Sequence, residues 1–225
     1  MLFRSEDVLT PDGALMLDSD EFISSKRAST LSVPSFMLDE KTVTAAEKGT
    51  ATHVFMQFCS FENLKGDIEK EIDRLVKKRF ILPSHASIIN RNAVKKFAES
   101  DIFKEINAST DVQREYRFNI KLPASEFTAN EELKKMLADE HVFVQGIIDC
   151  YFRDQNGDII LLDYKTDYVP SDIRGNEELE NRFFTERHSR QLKYYKEALK
   201  LLTGKNVKRT VIYSFSLAKT IEIQP

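Results

Sequence analysis

Two aspartates and a lysine, set around a hairpin turn, make the densest concentration of reactive side chains in this chain. The stretch from Val144 to Asp167 reads VQGIIDCYFRDQNGDIILLDYKTD. Apolar runs at 142–152 and 159–164 flank the polar turn 153–158, where Asn156-Gly157 offers the positive-φ pair of a tight hairpin. Folding the hairpin carries Asp149 in the first strand towards Asp163 near the end of the second. Lys165 lies two residues beyond Asp163 and therefore shares its face. Two carboxylates and an ammonium among apolar neighbours are costly to bury unless a cation or ligand compensates them. A lone Asp-x-Lys is more often a salt bridge closing a strand end, so the weight falls on what accompanies it.

Three further groups accompany it. His53 and Gln57 are four apart in a helical pattern and share a face, as do Gln191 and Tyr195 further on. Glu115 sits in the alternating run REYRFNIKL. Taken singly, each has an ordinary reading: a core histidine, helix packing, an exposed edge charge. Basic residues cluster at Lys77-Lys78-Arg79, at Arg91 with Lys95-Lys96, and at Arg182, Arg187, Arg190 and Lys193. Such runs usually form solvated helix faces, but they could also make a phosphate-facing rim.

The elements that must position these residues are legible in outline. Residues 1–30 are polar and aperiodic apart from a turn at Pro11-Asp12-Gly13, and are expected to be a weakly ordered lead-in to a piece of a longer polypeptide. A single domain is expected over 31–225. Thr44 with Glu47 makes a capping box, opening a helix over 45–61, and helices over 66–78, 84–99 and 101–106 complete a helical portion at 44–106. A sheet core is expected over 112–217, with a strand around Glu115, a helical insert at 131–139, the central hairpin, and strands at 210–217 and 220–223. The segment 168–181 reads as a mobile loop, and a long amphipathic helix over 184–202 is stopped by Gly204. This order predicts a mixed α/β fold, a central mixed sheet flanked by helices.

With 33 basic against 36 acidic residues the net charge is −3, which gives no general basic signature. The 41% hydrophobic and 31% charged content suits a water-soluble domain with a sizeable core. No apolar run approaches the roughly 20 residues of a membrane span, and no signal peptide is evident. A cytoplasmic location without membrane partners is the expectation. Cys59 and Cys150 read as reduced core residues, too few for a four-thiolate iron–sulfur cluster or a structural zinc site.

In order along the chain stand G-T-x-x-H at 49–53, the strand Glu115, G-I-I-D at 146–149, L-D-Y-K-T-D at 162–167 and Q-x-x-x-Y at 191–195. This set resembles the PD-(D/E)xK nuclease superfamily. More closely, it is similar to the nuclease domain of bacterial helicase–nuclease subunits of the AddA or RexA type, related to the RecB nuclease domain. The lead-in LSVPSF at 31–36 shares the likeness, which covers about 31–217. The resemblance implies a restriction-endonuclease-like core. It also implies a metal site built from His53, Asp149, Asp163 and the Tyr164 carbonyl, with Lys165 catalytic and Glu115 the family's strand glutamate. Gln191 and Tyr195, with Arg190 nearby, would hold DNA by its phosphates. His188 departs from the pattern, which carries an aromatic residue there.

Those residue types suit the implied chemistry. Hard oxygen ligands favour Mg²⁺ or Mn²⁺, and a histidine among them tilts the balance towards Mn²⁺. A bound cation acidifies its water and polarises a phosphoryl oxygen, while Lys165 would steady developing charge. The resemblance further implies a helicase–nuclease working on DNA ends, single-stranded or duplex, in double-strand-break repair, near the nucleoid and together with the rest of its polypeptide and a partner subunit. No G-x-x-x-x-G-K-[ST] occurs, so ATP binding is expected outside this chain. Two other readings stand beside this one: a catalytically silent module that binds DNA or docks another protein, and a standalone structure-specific nuclease. The presence of Asp149, Asp163 and Lys165 together weighs against the silent module.

Overall fold

The computed structural model describes residues 14–17 and 43–224. The lead-in 1–30 and the LSVPSF segment therefore lie outside the described residues, except for Ala14–Leu17, which form a short strand, β1. The capping box is present: the Thr44 hydroxyl accepts from the Glu47 N–H at 3.1 Å, and the Glu47 carboxylate accepts from the Thr44 N–H at 2.8 Å. It opens α1, Ala45–Phe58. The helix expected to reach Phe61 breaks at Cys59 and resumes as a single turn, α2, Phe61–Leu64. Two arginines take up carbonyls at the end of α1. Arg114 donates to those of Met56 and Cys59 at 3.1 and 2.6 Å, and Arg74 to that of Phe58 at 3.3 Å.

Helices α3 (Ile68–Lys77), α4 (Pro83–Ile88), α5 (Arg91–Glu99) and α6 (Asp101–Ala108) complete the helical portion. The helix expected over 84–99 is split because the Asn90 side chain caps α5, accepting the Ala93 N–H at 3.0 Å. The Glu71 carboxylate is buried where α3 meets the α1–α2 junction. It accepts from the Ser60 N–H at 2.6 Å, from Asn63 at 2.7 Å and from Arg74 Nε at 2.7 Å.

The remaining strands are β2 (Val112–Pro123), β3 (His141–Arg153), β4 (Ile159–Lys165), β5 (Val207–Ser214) and β6 (Lys219–Glu222). A short helix α7 (Glu131–Met136) separates β2 from β3, and the long helix α8 (Glu177–Thr203) separates β4 from β5. β3 is antiparallel to β2 on one edge; on its other edge β1 runs parallel to residues 143–146 and β4 antiparallel to 150–153. β5 follows parallel to β4, and β6 antiparallel to β5. In the β3–β4 turn only Gly157 has positive φ, at 79°. The Asn156-Gly157 pair is therefore replaced by a turn from Asp154, whose carbonyl accepts from the Gly157 N–H at 2.9 Å. Helix α8 starts well before Phe184 because Asn176 caps it and Glu177, Glu178 and Glu180 fill its first turn. Gly204, at φ 69°, ends it as expected.

Each face of the sheet has its own core. Cys150, Phe152, Leu162 and Tyr164 pack with α1 and the helices that follow it, while Phe118, Ile148, Leu161 and Ile212 pack with α8. Strict alternation would put Ile148 on the same face as Cys150. It does not, and β2 shows the same reversal, Val112 packing on the α1 side and Tyr116, Phe118 and Ile120 on the α8 side. The register nonetheless continues, Arg114 opposite Cys150 and Tyr116 opposite Ile148. Both strands therefore swap faces together at the intervening pair, Glu115 and Asp149. Glu115 accommodates the swap with a left-handed φ of 51°.

Glu71→Ala strips the α1–α2 junction of four hydrogen bonds and leaves Arg74 without its carboxylate partner. Denaturant unfolding should show a loss of about 2–4 kcal/mol, within the range for breaking a buried, hydrogen-bonded charge. A loss comparable to that of an exposed substitution would show that the junction is held by apolar packing alone.

Candidate metal centre and its surroundings

The site lies where the sheet comes apart. β3 and β4 pair from Arg153 opposite Ile159 to Cys150 opposite Leu162, and the ladder ends at the next pair, Asp149 and Asp163. There the Asp149 carboxylate replaces the missing backbone partner: Oδ2 accepts the Tyr164 N–H at 2.8 Å. Its other oxygen, Oδ1, lies 3.2 Å from His53 Nδ1. His53 is delivered by α1, whose end Arg114 ties to β2 one residue before Glu115. One turn before His53 stands Gly49, where a Cβ would come within 3.1 Å of Thr166 Oγ1. A helical glycine costs about 1 kcal/mol relative to alanine, and here it lets α1 sit close against the segment following β4.

His53, Glu115 and Asp149 each place one ligand atom within 4.8 Å of the others. An imidazole nitrogen and two carboxylates so arranged form a donor set for a divalent cation. Asp163 and Lys165 stand behind this group on the α8 side, each 1% exposed. Lys165 Nζ lies 3.2 Å from Asp163 Oδ2 and donates to Gln191 Oε1 at 3.1 Å. The Gln191 amide in turn donates to the Tyr195 hydroxyl at 2.8 Å. Asp163 Oδ2 is buried and faces the Lys165 ammonium without a well-directed hydrogen bond.

The electrostatics follow from this packing. Burial pulls the His53 imidazole down, but the charge of Asp149 and its hydrogen bond outweigh that and raise its pKa to about 9. Asp149 is pushed up by burial and pulled down further by His53, Lys165 and the Tyr164 N–H, and so ends below the usual carboxylate value. Asp163 is raised, chiefly by burial and also by the charge of Asp149, against the pull of Lys165. The two aspartates are thus driven apart. Further out, Asp167 Oδ2 lies 3.4 Å from His188 Nε2 and is held low against its burial by that residue, Lys165 and Arg187. His188 is itself buried, tilted against Phe184 with ring centroids 6.0 Å apart, so it fills the aromatic slot by shape.

The expected site residues do not all fall into one shell. Glu115 stands in the tight group with His53 and Asp149, whereas Asp163 lies with Lys165. Tyr164 meets Asp149 through its N–H, and its carbonyl faces the same strand edge, as in any extended residue. Tyr195 is 2% exposed and edge-on to Phe118, whereas Arg190 is exposed on α8. Sequence reasoning missed Arg114 and the Asp167–His188 pair. Arg114 looks like one more polar strand residue in REYR, and only its neighbour Glu115 drew attention. A broad surface concavity lined by Ser125, Thr128, Lys134 and Lys193 lies away from this cluster. Both cysteines are buried free thiols, and among the described residues no helix is long and apolar enough to cross a membrane.

A mixed sheet covered by helices on both faces, with acidic side chains gathered where two central strands part, defines a restriction-endonuclease-like α/β protein. Sequence comparison takes this further. The chain is 41% identical over 192 residues to the A-subunit of the ATP-dependent helicase/nuclease of Clostridium botulinum strain Loch Maree, covering 84% of this chain and 14% of the relative. The Clostridium beijerinckii protein of the same description is 37% identical over 197 residues, 85% of this chain and 15% of that one. The chain belongs to the family of ATP-dependent helicase/nuclease A-subunits and spans about one seventh of the length of the relatives it matches. No family model matches it. Among solved structures, the crystal structure of SSO0001 covers 76% of this chain and 64% of that chain at 12% identity, with a TM-score of 0.32, too distant to bear on the site.

The His53–Asp149 pair makes stability depend on pH when metal is withheld. A pKa raised on folding contributes stability in full below the unfolded value and loses it as pH rises through the folded value. In EDTA the melting temperature should therefore fall as pH climbs from about 6.5 to about 9, the ordinary and raised values of His53. His53→Gln should flatten that arm of the curve. An unchanged slope in the variant would mean that His53 carries no such charge.

Proposed function

We propose that this chain is a divalent-metal-dependent deoxyribonuclease module, hydrolysing DNA phosphodiester bonds at the opening between β3 and β4. The observation that carries the reading is the convergence there of His53, Glu115 and Asp149, with the buried Asp163–Lys165 pair behind them. His53, Glu115 and Asp149 would hold Mg²⁺ or Mn²⁺, with Asp163 and the Tyr164 carbonyl completing the shell. Bound there, the cation would supply an acidified water and a Lewis acid for the phosphoryl oxygen. With the His53 pKa raised by Asp149, binding a cation there would displace a proton from the imidazole, and affinity should rise with pH.

The chain's own residues do the remaining work. Asp149 anchors the opening by holding the Tyr164 N–H, so its second oxygen is fixed in direction. Lys165 is held by Asp163 and Gln191, and its ammonium is preorganised to orient an attacking water and offset charge on the phosphorane. Gln191 and Tyr195 form a hydrogen-bonded prop behind Lys165, and through it they govern how the DNA phosphate is engaged. Arg190, with Arg187 nearby on α8, offers charge to the phosphate backbone from the exposed side. By family, the larger protein would couple this cleavage to ATP-driven unwinding at DNA ends in recombinational repair, the ATP site and a partner subunit lying outside this chain.

The test is incubation of the pure chain with linear single-stranded and duplex DNA in Mg²⁺, Mn²⁺ or EDTA. Cleavage should require the metal. Asp163→Ala and Lys165→Ala should each lower the rate by about 10²-fold or more, the scale for removing a preorganised charged group. Calorimetric Mn²⁺ titration should separate them: Asp163→Ala loses affinity, whereas Lys165→Ala keeps it or binds tighter. Full activity in both variants would leave a catalytically silent module. Unfolding of Lys165→Ala would return Asp163–Lys165 to the role of a structural salt bridge.

A further inference from the structure

Past the Glu115–Asp149 pair, β2 and β3 continue as a paired ribbon, with β1 alongside residues 143–146 of β3; the α8-side face of the ribbon is buried, and the side chains on its other face are exposed or half-buried. After the reversal at Glu115, the α1-side positions of β2 are Arg117, Asn119 and Lys121, all exposed. Opposite them on β3 stand Ile147, Gln145 and Phe143 in turn. Phe143 is 50% exposed, and Lys121 Nζ stands 5.8 Å from its ring centroid. These six positions carry two cations, two amides and an exposed aromatic ring, and no carboxylate. They begin where the metal cluster ends and lie on the side of the sheet from which His53 approaches.

We propose that this face is the track along which a single DNA strand reaches the metal cluster. The assignment rests on the nuclease reading above but names a surface that reading does not use. From Glu115 to Lys121 the ribbon spans about 20 Å at the rise of an antiparallel strand, enough for several phosphates. Arg117 and Lys121 match the backbone charge. Phe143, with a cation at its side, offers a stacking platform of the kind unpaired bases use. Asn119 and Gln145, directly opposite one another, give donors and acceptors that do not demand one base. A duplex keeps its bases stacked inside and cannot use Phe143, so the chemistry selects a single strand. The complementary charge and the continuity with the cluster decide the occupant.

The experiment measures anisotropy of a fluorescein-labelled oligothymidylate against the chain in EDTA, where nothing is cleaved, over a salt series. Arg117→Ser combined with Lys121→Ser should weaken binding at least tenfold and reduce the salt slope by about 1.4, two single-strand phosphate contacts at about 0.7 each. Phe143→Ser should weaken it about tenfold with the slope unchanged, the loss of one stacked base. Lys200→Ser with Lys205→Ser, which removes the same charge from the end of α8, should leave slope and affinity as they were. Unchanged affinity and slope in the ribbon variants overturns the track, whether or not the chain cleaves DNA. A labelled duplex weakened as strongly by Phe143→Ser overturns the single-strand assignment. If the ribbon variants lose binding but the parent chain never cleaves with metal, the track stands and the nuclease reading falls.

Discussion

A β-sheet separates what lies on its two faces, so a site that draws on both needs a break in the ladder. Here the break is the parting of β3 from β4 after Cys150 and Leu162, and the Asp149 carboxylate makes it tolerable. An unpaired strand N–H in this interior would go unsatisfied; Asp149 Oδ2 accepts it at 2.8 Å. One side chain thus both replaces a ladder bond and points its second oxygen at His53. With the gap held open, donors from α1 and β2 meet Asp163 and Lys165 from the α8 side. Glu115, left-handed in mid-strand and opposite Asp149, belongs to the same device. Local strain of this kind survives where the surrounding structure over-determines it.

Holding the gap open makes heavy demands on the parts around it. A buried lysine, an imidazole and three carboxylates share a small and largely buried volume. The fold answers with fixed partners: Gln191 and Tyr195 behind Lys165, His188 and Arg187 beside Asp167, and the peptide N–H for Asp149. Helix α1 must also sit in one place, and Arg114, Arg74 and Glu71 fix its end while Gly49 allows its close approach to Thr166. The opposite pKa directions of Asp149 and Asp163, side by side, follow from the same crowding of charge and accord with the proposed ion site.

Much of this was legible in sequence because its signals are local. The β3 and β4 apolar runs, the capping box at Thr44 and the stop at Gly204 each announce themselves within a few residues. The order of motifs pointed to Asp149, Asp163, Lys165 and His53. The helix breaks at Cys59 and Ile89 were hidden, since one depends on arginines that are 15 and 55 residues away from Cys59, and the other on an asparagine cap read as mid-helix. Helix α8 was cut short because a run of acids at 177–180 reads as loop until Asn176 is seen to cap it. Glu115 was placed with the catalytic residues, but its position beside His53 depends on a face reversal that no periodicity reveals. Arg114 shows the general difficulty: its task is to hold another element, and such a role leaves no pattern in its own strand.

The central claim is that His53 and the carboxylates at the β3–β4 opening form one divalent-ion site. Pulsed electron paramagnetic resonance of the chain loaded with one equivalent of Mn²⁺ tests it most directly, because the spectrum reports the atoms bound to the ion. The account predicts hyperfine coupling from one directly ligated imidazole nitrogen, absent in His53→Gln, with the remaining ligands oxygen. Tightly bound Mn²⁺ without nitrogen coupling, or with coupling that persists in His53→Gln, would contradict it.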